Sequence, residues 1–344
     1  MNEPVVPASA PWSPQRVDEA CPVIVHADTG GSGLGDMIEQ LVFGMRVARD
    51  LGAAFYVTGF SNTSKYLGAA QFHRVAELLG IDMQHHSLEA VLARHQLTEL
   101  QLAYAAVLEK GYPPIPCNSL VVTKMSSCGR ASSAWGEWCT ADPCVAQSIG
   151  RVQDVLRNNS AYAQCLALGW GFRPIPGVAR ATLHVRTGDI CLHCNDTVFW
   201  DGIVEMLRAA ATQAGLSLKL HAEAQTDAQR DFFTGRYPGL TYGSAMRGGH
   251  EKSMVETACQ FLTTDLLVTT GSSLPVMIAA FGQHHRPLVF EDVRKEAVPF
   301  KHALGLEHHL PESEAVWLHK GRLQTVGVDA VAAMIKAALA HANP

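Results

Sequence analysis

Apolar and polar residues follow two periods along this chain, and together these periods predict alternating strands and helices. An apolar run at residues 21–27, CPVIVHA, is flanked by Pro and Asp and is typical of a buried strand. Residues 37–52 then carry apolar side chains at helical spacing and end on Gly52, a residue that suits a helix C-cap. With a second strand at residues 53–58, this order predicts a parallel sheet with right-handed crossovers.

The same pattern continues toward the middle of the chain. We expect a strand at residues 118–124, and helices near residues 71–80, 87–94, 97–110 and 146–169. Residues 172–177, FRPIPG, interrupt any regular element with two prolines and a glycine, so we place a domain boundary there.

Beyond this boundary the alternation of strand and helix begins again. Strands are predicted at residues 181–186, 216–222, 239–242, 265–270 and 286–290. Helices are predicted at residues 197–214, 226–235, 250–264, 273–282 and 328–342. The tail also carries an apolar stretch, AVWLHK, before its helix.

Two Rossmann-like α/β domains facing across a cleft are the simplest architecture for this order, and ligands bind in such clefts at the carboxyl ends of strands. We predict a flexible lead-in and three further segments, at residues 1–20, 21–172, 173–310 and 311–344. The last of these is a strand and helix that pack back on the core.

Composition narrows the class of protein. The chain has 344 residues, 47% of them hydrophobic, which is ample for two packed cores. Its net charge is -5 and no block of Lys or Arg stands out, so we expect no nucleic-acid partner. No apolar run is long enough to predict a membrane span, and the N-terminus does not resemble a signal peptide. Nine cysteines leave a cytoplasmic and a secretory-lumenal location both open.

A glycine-rich turn at residues 30–36, GGSGLGD, joins the first strand to the first helix. Glycines such as Gly33 and Gly35 let the backbone approach a ligand, and the amides at a helix N-terminus attract anions or sugar oxygens. The glycine spacing is not that of a nicotinamide-cofactor site, and the second strand does not end on an acid. The alternative is a tight turn that needs positive φ angles.

The stretch ATLHVRTGD, residues 181–189, reads as a strand that ends in a functional loop. Its alternation puts His184 and Arg186 on one face at the strand's carboxyl end. Arginine suits phosphate because it is always charged and presents a planar fork of donors. Gly188 allows close backbone approach. The alternative is an arginine at the sheet edge that pairs with Asp189.

A Cys-x-x-Cys pair, Cys191 and Cys194, follows directly and encloses His193. A structural zinc site needs four ligands, usually two such pairs, and the chain has one. The order of elements around the pair also differs from that of a thioredoxin-like dithiol. A structural or disulfide role is therefore the interpretation favoured here, and no metal site is predicted.

A third stretch, residues 252–282, predicts a helix, a strand and a new helix that opens with GSSLP. The first-turn amides with Gly271, Ser272 and Ser273 form an anion cradle, unless Ser272 is only an N-cap. Glu256 lies on the preceding helix. A carboxylate there can accept two parallel hydrogen bonds from guanine, unless it is a solvated surface acid.

Taken together and in this order, the three stretches resemble the fucosyltransferase superfamily, which includes α1,2-, α1,6- and protein O-fucosyltransferases. The glycine-rich turn with its helix is similar to that family's opening motif, and HVRTGD is similar to its His-x-Arg-x-Gly-Asp motif. The segment from Glu256 to Ser273 resembles its third motif. Thr187 stands where many members carry a second arginine.

The resemblance implies a GT-B fold and an inverting, metal-independent transferase that uses a GDP-sugar, normally GDP-fucose, and no cofactor. By this resemblance Arg186 holds the β-phosphate with support from His184 and Asp189, while Glu256 reads guanine. The acceptor is a glycan, glycoside or protein hydroxyl. Three residues are candidates for the general base that takes the proton of the acceptor: Asp36, Asp28 and His193. A transferase for another nucleotide sugar and an inactive glycan-binding relative are the alternatives.

Overall fold

The computed structural model describes twelve main ranges: residues 17–28, 50–58, 88–103, 111–124, 175–185, 194–224, 226–243, 251–269, 288–293, 315–319, 322–323 and 328–340. It also describes short helical pieces at residues 40–41, 43–45, 47–48, 75, 107, 165, 274–275 and 278. The chain divides into two compact units, Met1–Trp135 with Pro143–Ala161 and Gly136–Asp142 with Tyr162–Pro344. The domain boundaries and the cleft that the sequence suggests stay predictions.

The first unit contains a four-stranded, all-parallel sheet in the order β2-β1-β4-β3. Its strands are β1 (Val23–Asp28), β2 (Ala54–Thr58), β3 (Thr98–Ala103) and β4 (Ser119–Lys124), and helix α1 (Leu88–Leu92) precedes β3. The described residues between Gln40 and Asp50 are helical, and Gly52 has φ 62°, which supports the predicted C-cap. This confirms the predicted parallel opening of the chain.

One prediction for this unit is wrong. Residues 97–110 are rich in helix-forming side chains, but residues 98–103 form strand β3, which pairs in parallel with β4. Only Leu102 of this strand is fully buried. As an edge strand, β3 is held by its backbone bonds to β4, and that tertiary pairing overrides a weak helical preference.

The second unit contains a seven-stranded sheet in the order β11-β10-β9-β8-β5-β6-β7. All neighbours are parallel except the pair β10 and β11. Its strands are β5 (Val178–His184), β6 (Ser217–Glu223), β7 (Thr241–Gly243), β8 (Leu266–Thr269), β9 (Leu288–Val293), β10 (Ala315–His319) and β11 (Arg322–Leu323). The mixed α/β class with parallel sheets is therefore as predicted.

Four described helices accompany this sheet: α2 (Thr197–Gln213), α3 (Asp227–Arg236), α4 (Glu251–Thr263) and α5 (Val328–Ala340). Asp196 caps α2 by accepting from the Phe199 amide, and Thr226 opens α3 with a capping box. The elements agree with the predicted ones to within a few residues, except β11, which the sequence did not predict.

One face of the central strands is apolar, and helices α2 and α5 cover it. We call it the apolar face; β5 contributes Ala179, Ala181 and Leu183 to it, and Val185 follows directly after the strand. Helix α2 packs Trp200, Ile203 and Leu207 into the same core, and α5 adds Val331 and Ile335. Trp200 is fully buried, with ring centroids 4.9 Å from Phe199 and 5.2 Å from Phe233. Hydrophobic burial therefore secures this side of the sheet.

Helices α2 and α3 are also joined at their outer surface. The Arg236 guanidinium donates to both carboxylate oxygens of Asp201, with Nε 2.6 Å from Oδ1, and the Tyr237 hydroxyl bonds to the same carboxylate. These bonds, Arg236 first, hold the pKa of Asp201 below its usual range, while burial raises the pKa of Tyr237. The pair is largely solvent-exposed, so it orients α3 more than it stabilises the fold.

Both units contain a disulfide bond. Cys21 is bonded to Cys117 in the first unit, and Cys165 is bonded to Cys259 of α4 in the second. Cys194 is also disulfide-bonded, to a partner outside the described residues. This agrees with the structural interpretation of the Cys-x-x-Cys pair.

Candidate functional site

The last residues of four neighbouring strands form a row at the carboxyl edge of the second sheet. In register, Gly243 of β7 lies beside Glu223 of β6, Glu223 beside His184 of β5, and His184 beside Thr269 of β8. Because all four strands are parallel, their carboxyl ends meet at this edge, which is where open α/β sheets bind ligands. The row therefore places an imidazole, a carboxylate and a hydroxyl at a typical ligand position.

His184 is the one predicted strand-end residue that the structure describes at this edge. Its Nδ1 lies 3.2 Å from the Thr269 hydroxyl oxygen, and its ring makes an edge contact with Phe261, with centroids 5.6 Å apart. Its side chain is half-buried, whereas Thr269 is fully buried. The imidazole is thus fixed in direction between β8 and helix α4.

Glu223 and His221 form a buried polar network that the sequence analysis missed. His221 Nε2 lies 2.8 Å from Glu223 Oε1, and the Thr257 hydroxyl of α4 donates to Glu223 Oε2 at 3.1 Å. On its other side His221 Nδ1 lies 2.7 Å from the Thr241 hydroxyl. Glu223 is 5% exposed and His221 4%, so both side chains depend on these partners rather than on water.

A signal for this pair was present in the sequence. The strand SLKLHAE alternates strictly, so that Lys219, His221 and Glu223 share one face and Leu218 and Leu220 the other. A strand in the middle of a parallel sheet is usually apolar on both faces. Two titratable residues at the carboxyl end of such a strand therefore marked a site.

Helix α4 covers the face to which these polar side chains belong, and we call this the polar face. Thr257 contacts Glu223, the Gln260 amide donates to the Thr182 hydroxyl at 3.0 Å, and Phe261 contacts His184. Helix α4 leads into the amino end of β8, and Thr257 near its middle contacts the end of β6, so the first half of α4 extends toward the carboxyl edge. Glu256, half-buried, is in that half of the helix.

The opposite, amino edge of the polar face carries a buried ion pair. The Arg180 guanidinium binds Asp265 through two nitrogens, with Nε 2.6 Å from Oδ2, and the Arg180 amide donates to the same oxygen at 3.0 Å. The exposed fractions of the two side chains are 1% and 2%. This pair lies at the edge away from the strand ends, so its role is to hold β5 against β8 and the end of α4.

Of the predicted site residues, the structure describes His184 at the carboxyl edge and Glu256 on α4, next to Thr257. Asp28, a candidate base, is the last residue of β1 in the first unit. The remaining predicted site residues lie outside the described residues: Gly33, Gly35, Asp36, Arg186, Gly188, Asp189, His193, Gly271, Ser272 and Ser273. Their roles stay predictions. Arg186 follows His184 by two residues and Gly271 follows Thr269 by two, so both segments continue from neighbouring strand ends.

Comparisons with known proteins give structural relatives only. No family model and no curated protein matches the chain. NodZ α-1,6-fucosyltransferase co-crystallized with GDP is 13% identical, over 78% of this chain and 94% of that chain, with a TM-score of 0.47. Fucosyltransferase NodZ from Bradyrhizobium is 13% identical over 76% and 93%, with a TM-score of 0.46. An Arabidopsis thaliana FUT1 variant in complex with GDP is 13% identical over 80% and 71%, with a TM-score of 0.44. The chain is similar in structure to solved fucosyltransferases.

Within the ranges given above, no cluster of three or more His, Cys, Asp or Glu side chains is arranged to hold a metal ion. In the same part of the chain, no helix has both the length and the apolar character to cross a membrane.

Proposed function

We propose that this protein is a glycosyltransferase that moves a sugar, L-fucose above all, from a GDP-sugar to a hydroxyl acceptor. In this proposal the reaction inverts the anomeric centre and needs no metal and no cofactor. The acceptor is a hydroxyl of a glycan, a glycoside or a protein. Three motifs of a fucosyltransferase type, in the family's order, support the proposal from the side of the sequence.

The observation that carries the proposal is the contact between His184 and Thr269. This pairing makes β5 and β8 neighbours whose ends are hydrogen-bonded side chain to side chain. The motif HVRTGD continues from β5, and the motif GSSLP continues from β8. Two phosphate-binding sequences that leave adjacent strand ends are what a pyrophosphate site at this edge requires.

The proposed chemistry assigns one task to each group. The bond between the sugar's anomeric carbon and the β-phosphate oxygen breaks, and the negative charge collects on GDP. Arg186, with the amides of Ser272 and Ser273, stabilises that charge. The acceptor oxygen attacks the opposite side of the anomeric carbon and gives its proton to a base, for which Asp36, Asp28 and His193 are the candidates. Glu256 accepts hydrogen bonds from guanine.

Replacing Arg186 tests this assignment. Since one lost donor to a developing anion typically costs about 10²–10³ in rate, we expect Arg186→Ala to lower the release of GDP from GDP-fucose by that factor. Arg186→Lys keeps a point charge but loses the planar fork of donors, so its rate of GDP release should lie between those of the wild type and Arg186→Ala. Both rates are measured with EDTA present. Arg230→Ala, on the exposed side of α3, is the matched control and should turn over normally.

The outcomes separate the alternatives. Wild-type turnover by Arg186→Ala would contradict its assigned role. GDP binding without turnover of any GDP-sugar would favour an inactive glycan-binding relative. Turnover of a different nucleotide sugar would keep the transferase and change the donor.

The disulfides bear on the compartment. With the partner of Cys194, six cysteines are bonded in three disulfides: Cys21, Cys117, Cys165, Cys194, its partner and Cys259. Disulfides persist in oxidising compartments and are rare in the cytosol, so they favour the secretory-lumenal location over the cytoplasmic one. Alkylation of the unreduced protein should then leave at least these six cysteines unmodified.

A further inference from the structure

The His221 and Glu223 network at the end of β6 has no task in the mechanism above. A buried carboxylate is costly unless its oxygens are bonded, and an apolar residue at position 223 would pack there without that cost. Both oxygens of Glu223 are bonded, one to His221 and one to Thr257. The Thr257 hydroxyl donates to Oε2, and His221 Nε2 lies 2.8 Å from Oε1.

Gly243 shows that the fold makes room for this carboxylate. A Cβ added at Gly243 would overlap Glu223 and lie 2.9 Å from its Cδ and 3.0 Å from His221 Nε2. The φ angle of Gly243 is not in the left-handed region, so its backbone would accept any residue. The space that a Cβ at this position would need is therefore taken by the Glu223 carboxylate and the His221 ring.

The contact between Glu223 and Thr257 links strand β6 to the first half of helix α4. Thr257, Gln260 and Phe261 of α4 contact the sheet, and their spacing defines a helix face turned toward it. Glu256 precedes Thr257 and shares the i, i+4 row with Gln260. The rotation of α4 about its axis thus decides the direction in which the Glu256 side chain leaves the helix.

We propose that Glu223 is a positioning residue for base recognition. By holding Thr257, it fixes the turn of α4 that carries Glu256, so that the Glu256 carboxylate meets the N1–H and 2-amino groups of guanine. This inference rests on the proposed function, in which Glu256 reads the base. The position of a recognition group has to be held to within about 0.5 Å by supporting hydrogen bonds. The bond between Glu223 and Thr257 is such a support.

The test compares GDP with IDP, which lacks the 2-amino group, by calorimetry. Since a hydrogen bond to a charged group is worth about 10-fold or more, the wild type should prefer GDP over IDP by at least that factor. Thr257→Val removes the hydroxyl that bonds to Glu223. It should reduce the preference for GDP over IDP to about 3-fold or less, chiefly by lowering the affinity for GDP. Thr257→Ser keeps a hydroxyl and should restore the preference.

Gly243→Ala, alone and combined with Thr257→Val, tests the same contact in a second way. Gly243→Ala removes no hydrogen-bonding group but displaces the Glu223 carboxylate, so it should lower the GDP preference as Thr257→Val does. The two changes together should lower it little further, because both act through one contact. Thr263→Val is the matched control, since the Thr263 hydroxyl bonds to the Cys259 carbonyl of its own helix at 2.8 Å. It should leave both affinities unchanged.

The results distinguish this inference from the proposed function. If Glu256→Ala leaves the ratio of GDP to IDP affinity unchanged, Glu256 does not read guanine and the proposed function fails on that point. If Glu256→Ala abolishes the preference while Thr257→Val and Gly243→Ala weaken GDP and IDP equally, the role of Glu223 is structural and the inference is overturned. Glu223→Gln, which keeps the side-chain volume, decides the matter in the same assay if the other variants fail to fold.

Discussion

The two faces of the seven-stranded sheet bury side chains of opposite character on the same strands. On β5, Ala181 and Leu183 point to the apolar face, while Thr182 and His184 point to the polar face. Helix α2 is held to its face by packing around Trp200. Helix α4 is held to the other face by hydrogen bonds from Thr257 and Gln260 and by the ring contact of Phe261.

This difference leads us to expect that stability and function depend on different faces of one sheet. Strands in the middle of a parallel sheet are normally apolar on both faces, and the apolar face of this sheet obeys that rule. The polar face departs from it, and its titratable residues at the carboxyl edge, His184, His221 and Glu223, lie where ligands bind. Departures from a local rule concentrate at functional sites, so the polar face is where we expect the chemistry.

The largest effect on stability should come from the apolar face. Trp200→Ala empties a fully buried position, so we expect the free energy of unfolding to fall by about 3–5 kcal/mol. Urea denaturation measures this change, while the affinity for GDP of the folded fraction should stay the same. Val198→Ala, on the same helix and 82% exposed, should change stability by less than about 0.5 kcal/mol. A large loss of GDP affinity in folded Trp200→Ala would break the comparison.

The next effect concerns the disulfide that anchors α4. Replacing Cys165 and Cys259 together by alanine should lower the free energy of unfolding by about 2–5 kcal/mol. Amide exchange should speed up in α4 more than in α2, because α2 does not depend on that bond. The control is the double alanine variant of Cys21 and Cys117, which span 96 residues against 94 for the other pair. It should destabilise the first unit and leave exchange in α4 unchanged.

The smallest effect is expected inside the polar face, away from its edge. Gln260 Oε1 finds no hydrogen-bond donor among the described residues, so the contact between Gln260 and Thr182 is only half satisfied. The double variant Thr182→Val with Gln260→Leu should stay within about 1 kcal/mol of the wild type. Thr182→Val alone leaves the buried amide unpaired and should cost about 1–3 kcal/mol. If the double variant lowers the free energy of unfolding by clearly more than about 1 kcal/mol, the polar residues are needed throughout the face.

Much of the fold could be predicted because β-strands and helices keep distinct periods in this sequence. Except for β11, the strands and helices of the second unit were predicted within a few residues of their observed ends, since Gly, Pro and capping residues separate them. Strand β3 was not, because its pairing with β4 depends on residues distant in sequence. The order of strands in each sheet also depends on such pairing.

The candidate site was predicted less completely, for a physical reason. His184 and Glu256 were predicted as site residues because each lies in a recognisable motif. Glu223 was visible as a polar residue on a central strand, but its partner Thr257 is 34 residues away and its neighbour Gly243 is 20 residues away. Sequence alone does not show that a glycine leaves space for a carboxylate on the next strand.

The central claim is that the carboxyl edge of the polar face binds a guanine nucleotide. Calorimetry of the wild-type protein with GDP, UDP and ADP at equal concentrations tests it most directly. We predict that GDP binds with a dissociation constant at least about 10-fold lower than that of UDP or ADP, because only guanine offers two parallel donors to Glu256. Equal binding of the three nucleotides, or preference for UDP or ADP, would contradict this claim.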